Sequence, residues 1–251
     1  GKEKRAMEDK ALLSTEVASG AEKAELLIVI PAYNEAENIE RVVNHLTANF
    51  PQYDYVVVND GSRDETAAIC QRNGYNLLNL PVNLGLAGAF QAGLKYADKY
   101  GYQYAVQLDG DGQHRPEYLE SMIKKMEEGY DIVIGSRFVG EKKPFTMRML
   151  GSNLIEMAIR FTTGVNIKDP TSGMRMFSKR MIREFASGLN YGPEPDTVSY
   201  LIRQGARVAE VPVIMDERIL GVSYLTPVNA MRYMLKMLIS ILLIQNFRKR
   251  R

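Results

Sequence analysis

The stretch Leu26-Leu-Ile-Val-Ile-Pro-Ala-Tyr-Asn-Glu35 sets five apolar residues against a proline and a short polar cluster. A run of that length, rich in branched side chains and stopped by proline, is the pattern of a strand buried on both faces. The segment after it places Ile39, Val42, Val43 and Leu46 at helical spacing, which predicts a helix with one apolar face. The unit then recurs. Tyr55 to Val58, Asn76 to Leu80, Tyr104 to Leu108 and Ile132 to Ile134 read as further strands, and Leu119, Met122, Ile123 and Met126 repeat the helical spacing. Asn34 is expected to cap the first helix, and Ser62 with Glu65 to form a capping box for the second. Such alternation predicts an α/β domain, a mainly parallel sheet with helices on both faces.

Composition narrows the function. The chain has 251 residues, enough for one substantial domain and an appendage. Lys plus Arg total 32 and Asp plus Glu 30, so the net charge of +2 gives no global pull toward nucleic acid, and any electrostatic function has to be local. One cysteine, Cys70, and two histidines, His45 and His114, exclude a disulfide framework and a zinc site of the usual kind, and fit a reducing, cytosolic setting. No charged start followed by an apolar run opens the chain, so no secretory signal is expected within it. Residues 1–25 are rich in Ala, Glu and Lys and read as a helical or disordered lead-in. Residues 26–225 then form the catalytic domain, and 226–251 a terminal helix.

Each proposed strand is followed at once by a polar or glycine-bearing cluster: Pro31 to Glu35, Asn59 to Ser62, Pro81 to Gly85, Asp109 to His114, and Gly135 to Arg137. Parallel strands would deliver all five to one sheet edge, where open α/β sheets bind their ligands. Asp109 and Asp111, one glycine apart at a strand end, can converge on a hard cation such as Mg²⁺ or Mn²⁺ that also binds a diphosphate, with Gln113 adding a carbonyl oxygen. Asp60 and Glu35 suit a base edge or ribose hydroxyls, or are carboxylates stabilised at helix starts. The sequence lacks a Gly-x-Gly-x-x-Gly after the first strand, a Walker lysine motif and a Gly-x-Ser-x-Gly elbow, which argues against a dehydrogenase, a P-loop ATPase and a hydrolase.

In order and spacing, Ile30-Pro-Ala-Tyr-Asn-Glu35, Val58-Asn-Asp-Gly-Ser-Arg-Asp-Glu-Thr66, Asn83-Leu-Gly85, Leu108-Asp-Gly-Asp-Gly-Gln-His114 and Ile134-Gly-Ser-Arg137 resemble glycosyltransferase family two. Asp169-Pro-Thr-Ser-Gly-Met-Arg175 and Glu217-Arg-Ile-Leu-Gly-Val-Ser223 are similar to the branch containing dolichyl-phosphate mannosyltransferase and bacterial polyprenyl-phosphate transferases. The resemblance implies a GT-A fold and a metal-dependent, inverting transfer of a hexose or aminohexose from a nucleotide diphosphate sugar, a UDP-sugar by preference, to polyprenyl phosphate. It implies that Pro31, Tyr33, Glu35, Asp60, Asp109 and Gly110 face the nucleotide sugar, and that Asp109, Asp111 and Gln113 hold the metal. Arg137, Arg148, Ser152, Arg218 and Ser223 would take the acceptor phosphate. Guanidinium forks suit a phosphate, and Arg148 and Ser152 lie one helical turn apart. Tyr224 stands where the family commonly has lysine, so a cation is missing there. Asp111 and Arg137 would act in catalysis, and Asp169 as a base or an orienting group, or else as a loop carboxylate before Pro170.

From Met231 through Met234, Leu235, Leu238, Ile241 and Leu242 the terminal helix carries a broad apolar face, followed by Arg248-Lys-Arg-Arg251. It is too short to span a bilayer, which takes roughly 20 apolar residues. A basic-ended amphipathic helix can lie on the inner face of the cell membrane, making the enzyme peripheral and cytoplasmic; packing on its own domain or in a homo-oligomer is the alternative. Two other functions compete: a soluble family-two transferase acting on a glycan or protein hydroxyl, and a nucleotide-sugar-binding regulator without catalysis. The arginine set weighs against the first, and the intact Asp109, Asp111, Asp169 and Arg137 against the second.

Overall fold

The computed structural model describes residues 25–140, 146–188, 192–216 and 227–245. Strands β1 (Leu26–Ala32), β2 (Asp54–Asp60), β3 (Leu77–Leu80), β4 (Tyr104–Gln107), β5 (Ile132–Ser136), β6 (Arg175–Ser178) and β7 (Val208–Pro212) form one sheet in the order β3-β2-β1-β4-β6-β5-β7. The five expected strands are present. β6 and β7 are additions that the apolar pattern did not reveal, and β6 runs antiparallel between β4 and β5. Because β5 is antiparallel to β6 as β4 is, it points the same way as β1 to β4, and all five polar clusters leave the sheet on one edge.

Helices α1 (Ile39–Asn49), α2 (Thr66–Arg72), α3 (Gly85–Tyr100), α4 (Leu119–Glu127), α5 (Met147–Thr163), α6 (Lys179–Arg183), α7 (Pro195–Arg203) and α8 (Pro227–Ile239) cover the sheet. Side chains alternate along β1, as strand geometry demands. Leu26, Ile28 and Ile30 pack with Ile39, Val43 and Leu46 of α1 and Leu119, Met122 and Met126 of α4, whereas Leu27 and Val29 pack with Ala89, Phe90, Leu94 and Ala97 of α3. β1 is therefore buried on both faces, as its unbroken apolar run predicts. Cys70 lies in the first of these layers, and burial pushes its thiol up to about 11, so it stays protonated and inert.

Pro31 sits inside this central strand at the one place that tolerates it. Val29 accepts a hydrogen bond from Leu108 on the β4 side, and pairing with β4 ends there, so the N–H that Pro31 lacks would have met no partner strand.

The terminal helix divides its apolar residues between two surfaces. Met237 and Ile241 are fully buried in the core with Met234 and Leu238 packed against it, while Met231, Leu235 and Leu242 face outward. α8 runs on as a π-turn from Ser240 to Ile244. Residues 1–24 of the lead-in, and the basic end Arg248 to Arg251, lie outside the described residues. No helix among the described residues is long and apolar enough to cross a membrane.

α3 approaches β1 so closely that a Cβ added at Gly93 would stand 2.2 Å from Val29 Cγ1. Gly93→Ala is expected to destabilise the fold by about 1–3 kcal/mol, the range for overpacking a filled core, read as a lower urea midpoint at unchanged slope.

Candidate active site

The nucleotide half of the edge is laced together by its own loops. Asn34 adopts φ 54°, donates its N–H to Ser62 Oγ at 3.0 Å, and accepts the Arg63 N–H on Oδ1 at 2.9 Å. Neither expected cap forms, because those side chains join the loops after β1 and β2. α1 starts at Ile39 behind Asn38, and α2 at Thr66 behind Glu65, without a side-chain cap at either. Glu35 is buried and takes the amide of Asn38 on Oε2 at 3.0 Å, while its own N–H donates to Thr66 Oγ1 at 2.9 Å. Asp60, also buried, accepts the Leu84 N–H on Oδ1 at 2.7 Å, so the loops after β2 and β3 are clasped; its Oδ2 has no partner among the described residues. Tyr33 stands half-buried beside them.

The next loop lies directly over the end of β1. A Cβ at Gly110 would sit 3.1 Å from the Pro31 carbonyl oxygen, so a side chain there would crowd the end of β1. Asp109 donates its N–H to His114 Nδ1 at 3.1 Å, which leaves the ring proton on Nε2, 3.6 Å from Asp109 Oδ2. Gln107 donates to Asp109 Oδ1 at 2.9 Å, and Asp111 accepts the Gln113 N–H on Oδ1 at 3.0 Å. Arg41 reaches from α1 to the Asp111 carbonyl at 3.1 Å, its guanidinium filling the space beside Gly112, whose φ is +81°. Below this loop a cavity of 350 Å³ opens between α1 and the start of α4, lined in part by Arg41, His45, Arg115 and Asp216.

The other half is built on a buried ion pair. Asp169 has no solvent exposure; Arg137 grips it with Nε to Oδ2 and Nη2 to Oδ1, both at 2.8 Å, and adds its own N–H at 3.0 Å. The pairing holds the Arg137 guanidinium above its ordinary value, and Nη1 has no partner among the described residues. Glu210 of β7 accepts the N–H groups of Lys168 at 2.9 Å and Asp169 at 2.8 Å. Arg175 is buried and donates to the carbonyls of Pro170 and Pro193, and burial lowers its ordinary value. The turn that follows Asp169 meets the Asp109 loop at Gly173, where a Cβ would lie 3.1 Å from His114 Cε1 and 3.5 Å from Asp109 Oδ2.

Pro31, Tyr33, Glu35, Asp60, Asp109, Gly110, Asp111, Gln113, Arg137 and Asp169 thus lie on adjoining loops at one edge. Ser152 is fully buried in α5, and its hydroxyl has no partner among the described residues. Arg148 occupies the first turn of α5, while Arg218, Ser223 and Tyr224 lie outside the described residues. Sequence reasoning missed Arg41, Gln107, Glu210 and the role of Arg175. Only Arg175 carried a signal, as the end of a quoted motif.

The family model for glycosyl transferase family 2 matches residues 27–185. Polyprenol monophosphomannose synthase of Mycolicibacterium smegmatis is 32% identical over 223 residues, covering 84% of each chain. UDP-N-acetylglucosamine–dolichyl-phosphate N-acetylglucosaminyltransferase of Methanococcus voltae is 30% identical, covering 75% of this chain and 84% of that one. Among solved structures, glucosyl-3-phosphoglycerate synthase of Mycobacterium tuberculosis, in a complex with Mn²⁺ and UDP, superposes with a TM-score of 0.65 at 20% identity, covering 88% and 80%.

Removing either partner of the buried pair should not cost the same. Arg137→Met leaves a carboxylate with no exposure and no cation, for which about 3–5 kcal/mol is expected, whereas in Asp169→Asn the guanidinium, 25% exposed, can turn toward water at lower cost. Urea unfolding of both variants measures the asymmetry, and equal losses would contradict it.

Proposed function

The chain belongs to glycosyl transferase family 2, in the branch of its polyprenyl-phosphate relatives, and from that premise we propose that it transfers a hexose or aminohexose from a nucleotide diphosphate sugar to polyprenyl phosphate, with inversion at the sugar carbon. One observation carries the reading: a carboxylate pair suited to a cation and a guanidinium suited to a phosphate stand on loops of a single sheet edge, the guanidinium paired with Asp169 and the turn after Asp169 reaching Asp109 at Gly173. The two relatives are named for different sugars. A UDP-sugar is the favoured donor, as named for the Methanococcus voltae relative.

Asp109 and Asp111 fit Mg²⁺ or Mn²⁺ as an open site. Among the described residues no third His, Cys, Asp or Glu joins them, so a bound cation would keep positions for diphosphate and water oxygens, with Gln113 beside it. Such a cation would offset the charge that grows on the leaving diphosphate. Asp60 would turn its unspent Oδ2, and Glu35 its carboxylate, to the nucleoside, with Pro31, Tyr33 and Gly110 shaping the walls.

The acceptor half needs little acid–base chemistry. A phosphate monoester has a second pKa of about 6, so its oxygen is already an anionic nucleophile at neutral pH, and what it lacks is position. Arg137 Nη1, the unspent Ser152 hydroxyl, Arg148, Arg218 and Ser223 would supply that position. Asp169 has both oxygens engaged by Arg137 and no access to solvent, which supports an orienting role rather than that of a base.

A lipid acceptor calls for a surface that meets the membrane. On α5, Leu150, Leu154, Met157 and Phe161 recur at helical spacing and are all exposed, Phe161 at 87%. α5 packs against α8 where Gly151 admits Met234, and α8 exposes Met231, Leu235, Ile239, Leu242 and Leu243. We therefore read the two helices, with the basic terminus, as a peripheral membrane contact at the inner face of the cell membrane.

Incubating the protein with labelled nucleotide sugar, Mn²⁺ and polyprenyl phosphate should carry label into a butanol phase, and Asp111→Ala should reduce that transfer at least about 100-fold at every Mn²⁺ concentration. Label on a soluble glycan instead, or full activity in chelator, would refute the assignment. Phe161→Asp together with neutral residues at Arg248, Lys249, Arg250 and Arg251 should abolish sedimentation with anionic liposomes and slow transfer to long-chain acceptor, while transfer to a short water-soluble prenyl phosphate changes less than about twofold.

A further inference from the structure

Gln107 is the last residue of β4, opposite Val29 of β1, and is buried. It falls on the same face of the strand as Ala105, where an apolar side chain would continue the core layer against α3. A carboxamide there costs free energy unless its polar atoms are bonded, and Gln107 Nε2 donates to Asp109 Oδ1 at 2.9 Å. His114 is the second buried polar group on this carboxylate. Its Nδ1 accepts the Asp109 N–H at 3.1 Å. Its Nε2 stands 3.6 Å from Asp109 Oδ2, too far for a hydrogen bond but close enough to wall off that side of the carboxylate.

Asp109 is thus gripped through its backbone and its side chain, while that side chain keeps 25% of its surface exposed. The bond from its N–H to His114 also closes the loop on itself across Gly110, Asp111, Gly112 and Gln113, so one contact fixes the backbone from which Asp111 projects. The turn after Asp169 covers a further side. A Cβ at Gly173 would stand 3.1 Å from His114 Cε1, 3.4 Å from Gln107 Nε2 and 3.5 Å from Asp109 Oδ2, the same three side chains. Packing alone does not ask for this arrangement, because leucine and phenylalanine would fill the two spaces without polar atoms. What the amide and the imidazole add is direction. A loose carboxylate gives up rotamer freedom when it takes a ligand, whereas a held one has already given it up on folding.

We propose that Gln107 and His114 are positioning residues that aim the Asp109 carboxylate, and the loop carrying Asp111, at a divalent cation. The proposal rests on the reading of Asp109 and Asp111 as ligands of that cation, and goes beyond it by giving a role to the two buried side chains behind them. Neither is placed as a ligand itself: Gln107 spends its amide on Asp109 Oδ1, and His114 spends Nδ1 on the Asp109 N–H. Their effect passes through Asp109. Partners that orient a ligating carboxylate in this way contribute about 10–100-fold to metal affinity.

Titrating Mn²⁺ into the full chain tests this without turnover, with bound ion counted by loss of the free-ion electron paramagnetic resonance signal and Asp111→Ala as the blank. Gln107→Met keeps the length of the side chain but has no donor, and His114→Phe keeps a ring but cannot accept the Asp109 N–H. Each should weaken Mn²⁺ binding at least about tenfold. His114→Asn, whose Oδ1 can accept the same N–H, should return to within about threefold of wild type. Calorimetry with UDP in chelator should stay within about twofold in all three variants, since no nucleoside contact is altered. Mn²⁺ affinity within about twofold of wild type in both Gln107→Met and His114→Phe overturns the proposal, as does an equal loss in His114→Phe and His114→Asn. A UDP affinity that falls in step with Mn²⁺ affinity also overturns it, because that marks general distortion of the edge. Should His114→Phe fail to fold, Gln107→Met decides by the same thresholds. If wild-type protein binds no more Mn²⁺ than Asp111→Ala does, the metal assignment fails and the positioning role with it, an outcome distinct from wild-type binding that the variants leave unchanged.

Discussion

A carboxylate with no solvent exposure is costly to bury without a cation beside it, and Arg137 closes on Asp169 fork to fork. Much of the edge follows from the need to bring these two residues together. Arg137 leaves the end of β5, so the turn from Asp169 to Gly173 has to arrive at the same level. It does so because β6 is antiparallel: a strand that starts where its neighbours end lays the turn before it among their carboxyl-terminal loops. β7, on the other side of β5, contributes Glu210, whose two oxygens fix the backbone of Lys168 and Asp169. Gly173 completes the fit, since any side chain there would press on His114 and Asp109.

How much of this was legible in the sequence depends on where each constraint acts. β1, β2, β4 and β5 are readable because their largely buried strands leave apolar runs, whereas the half-buried β3 shows only Leu77, Leu78 and Leu80, and the clusters after them are readable as a consequence. β6 has four residues, one of them the buried Arg175, and β7 mixes Glu210 and Pro212 into its five, so neither carries a clear period. Glu210 in particular looks like the outward residue of an alternating strand. The caps assigned to Asn34 and Ser62 were sound local chemistry overridden by a tertiary demand, since each side chain satisfies the neighbouring loop instead of a helix end. Arg41 has the position of a solvated helix residue, and the approach of the turn at Asp111 and Gly112 gives it a partner outside its own helix.

The helices outside the sheet show a different limit. α5 carries apolar residues around most of its circumference, so periodicity does not say which face turns inward. Packing decides it. Gly151 allows α8 to approach, Ile155 and Ile159 are buried, and Leu150, Leu154, Met157 and Phe161 are left outside. The helical spacing in α8 reads as a single broad apolar face, and the fold splits that face, burying Met237 and Ile241 and exposing Leu235 and Leu242. Packing on the domain and presentation of an apolar surface are therefore not alternatives for this helix.

Polar contacts divide by burial into those that hold and those that can open. Asp196 of α7 accepts Ser240 Oγ at 2.6 Å and Gln245 Nε2 at 3.3 Å, so α8 is joined to α7 inside the protein. Arg175 then joins the entrance to α7, through the Pro193 carbonyl, to the Asp169 turn, through the Pro170 carbonyl. Breaking either link would leave a buried charge or dipole without a partner, which costs far more than an exposed pair contributes, so these connections stay closed in the folded state. An unbroken path of such links runs from the outward apolar helices to Asp169 and Arg137. At the rim of the same edge the Arg115–Asp216 pair is exposed and outside the buried path, and breaking it would cost little by comparison.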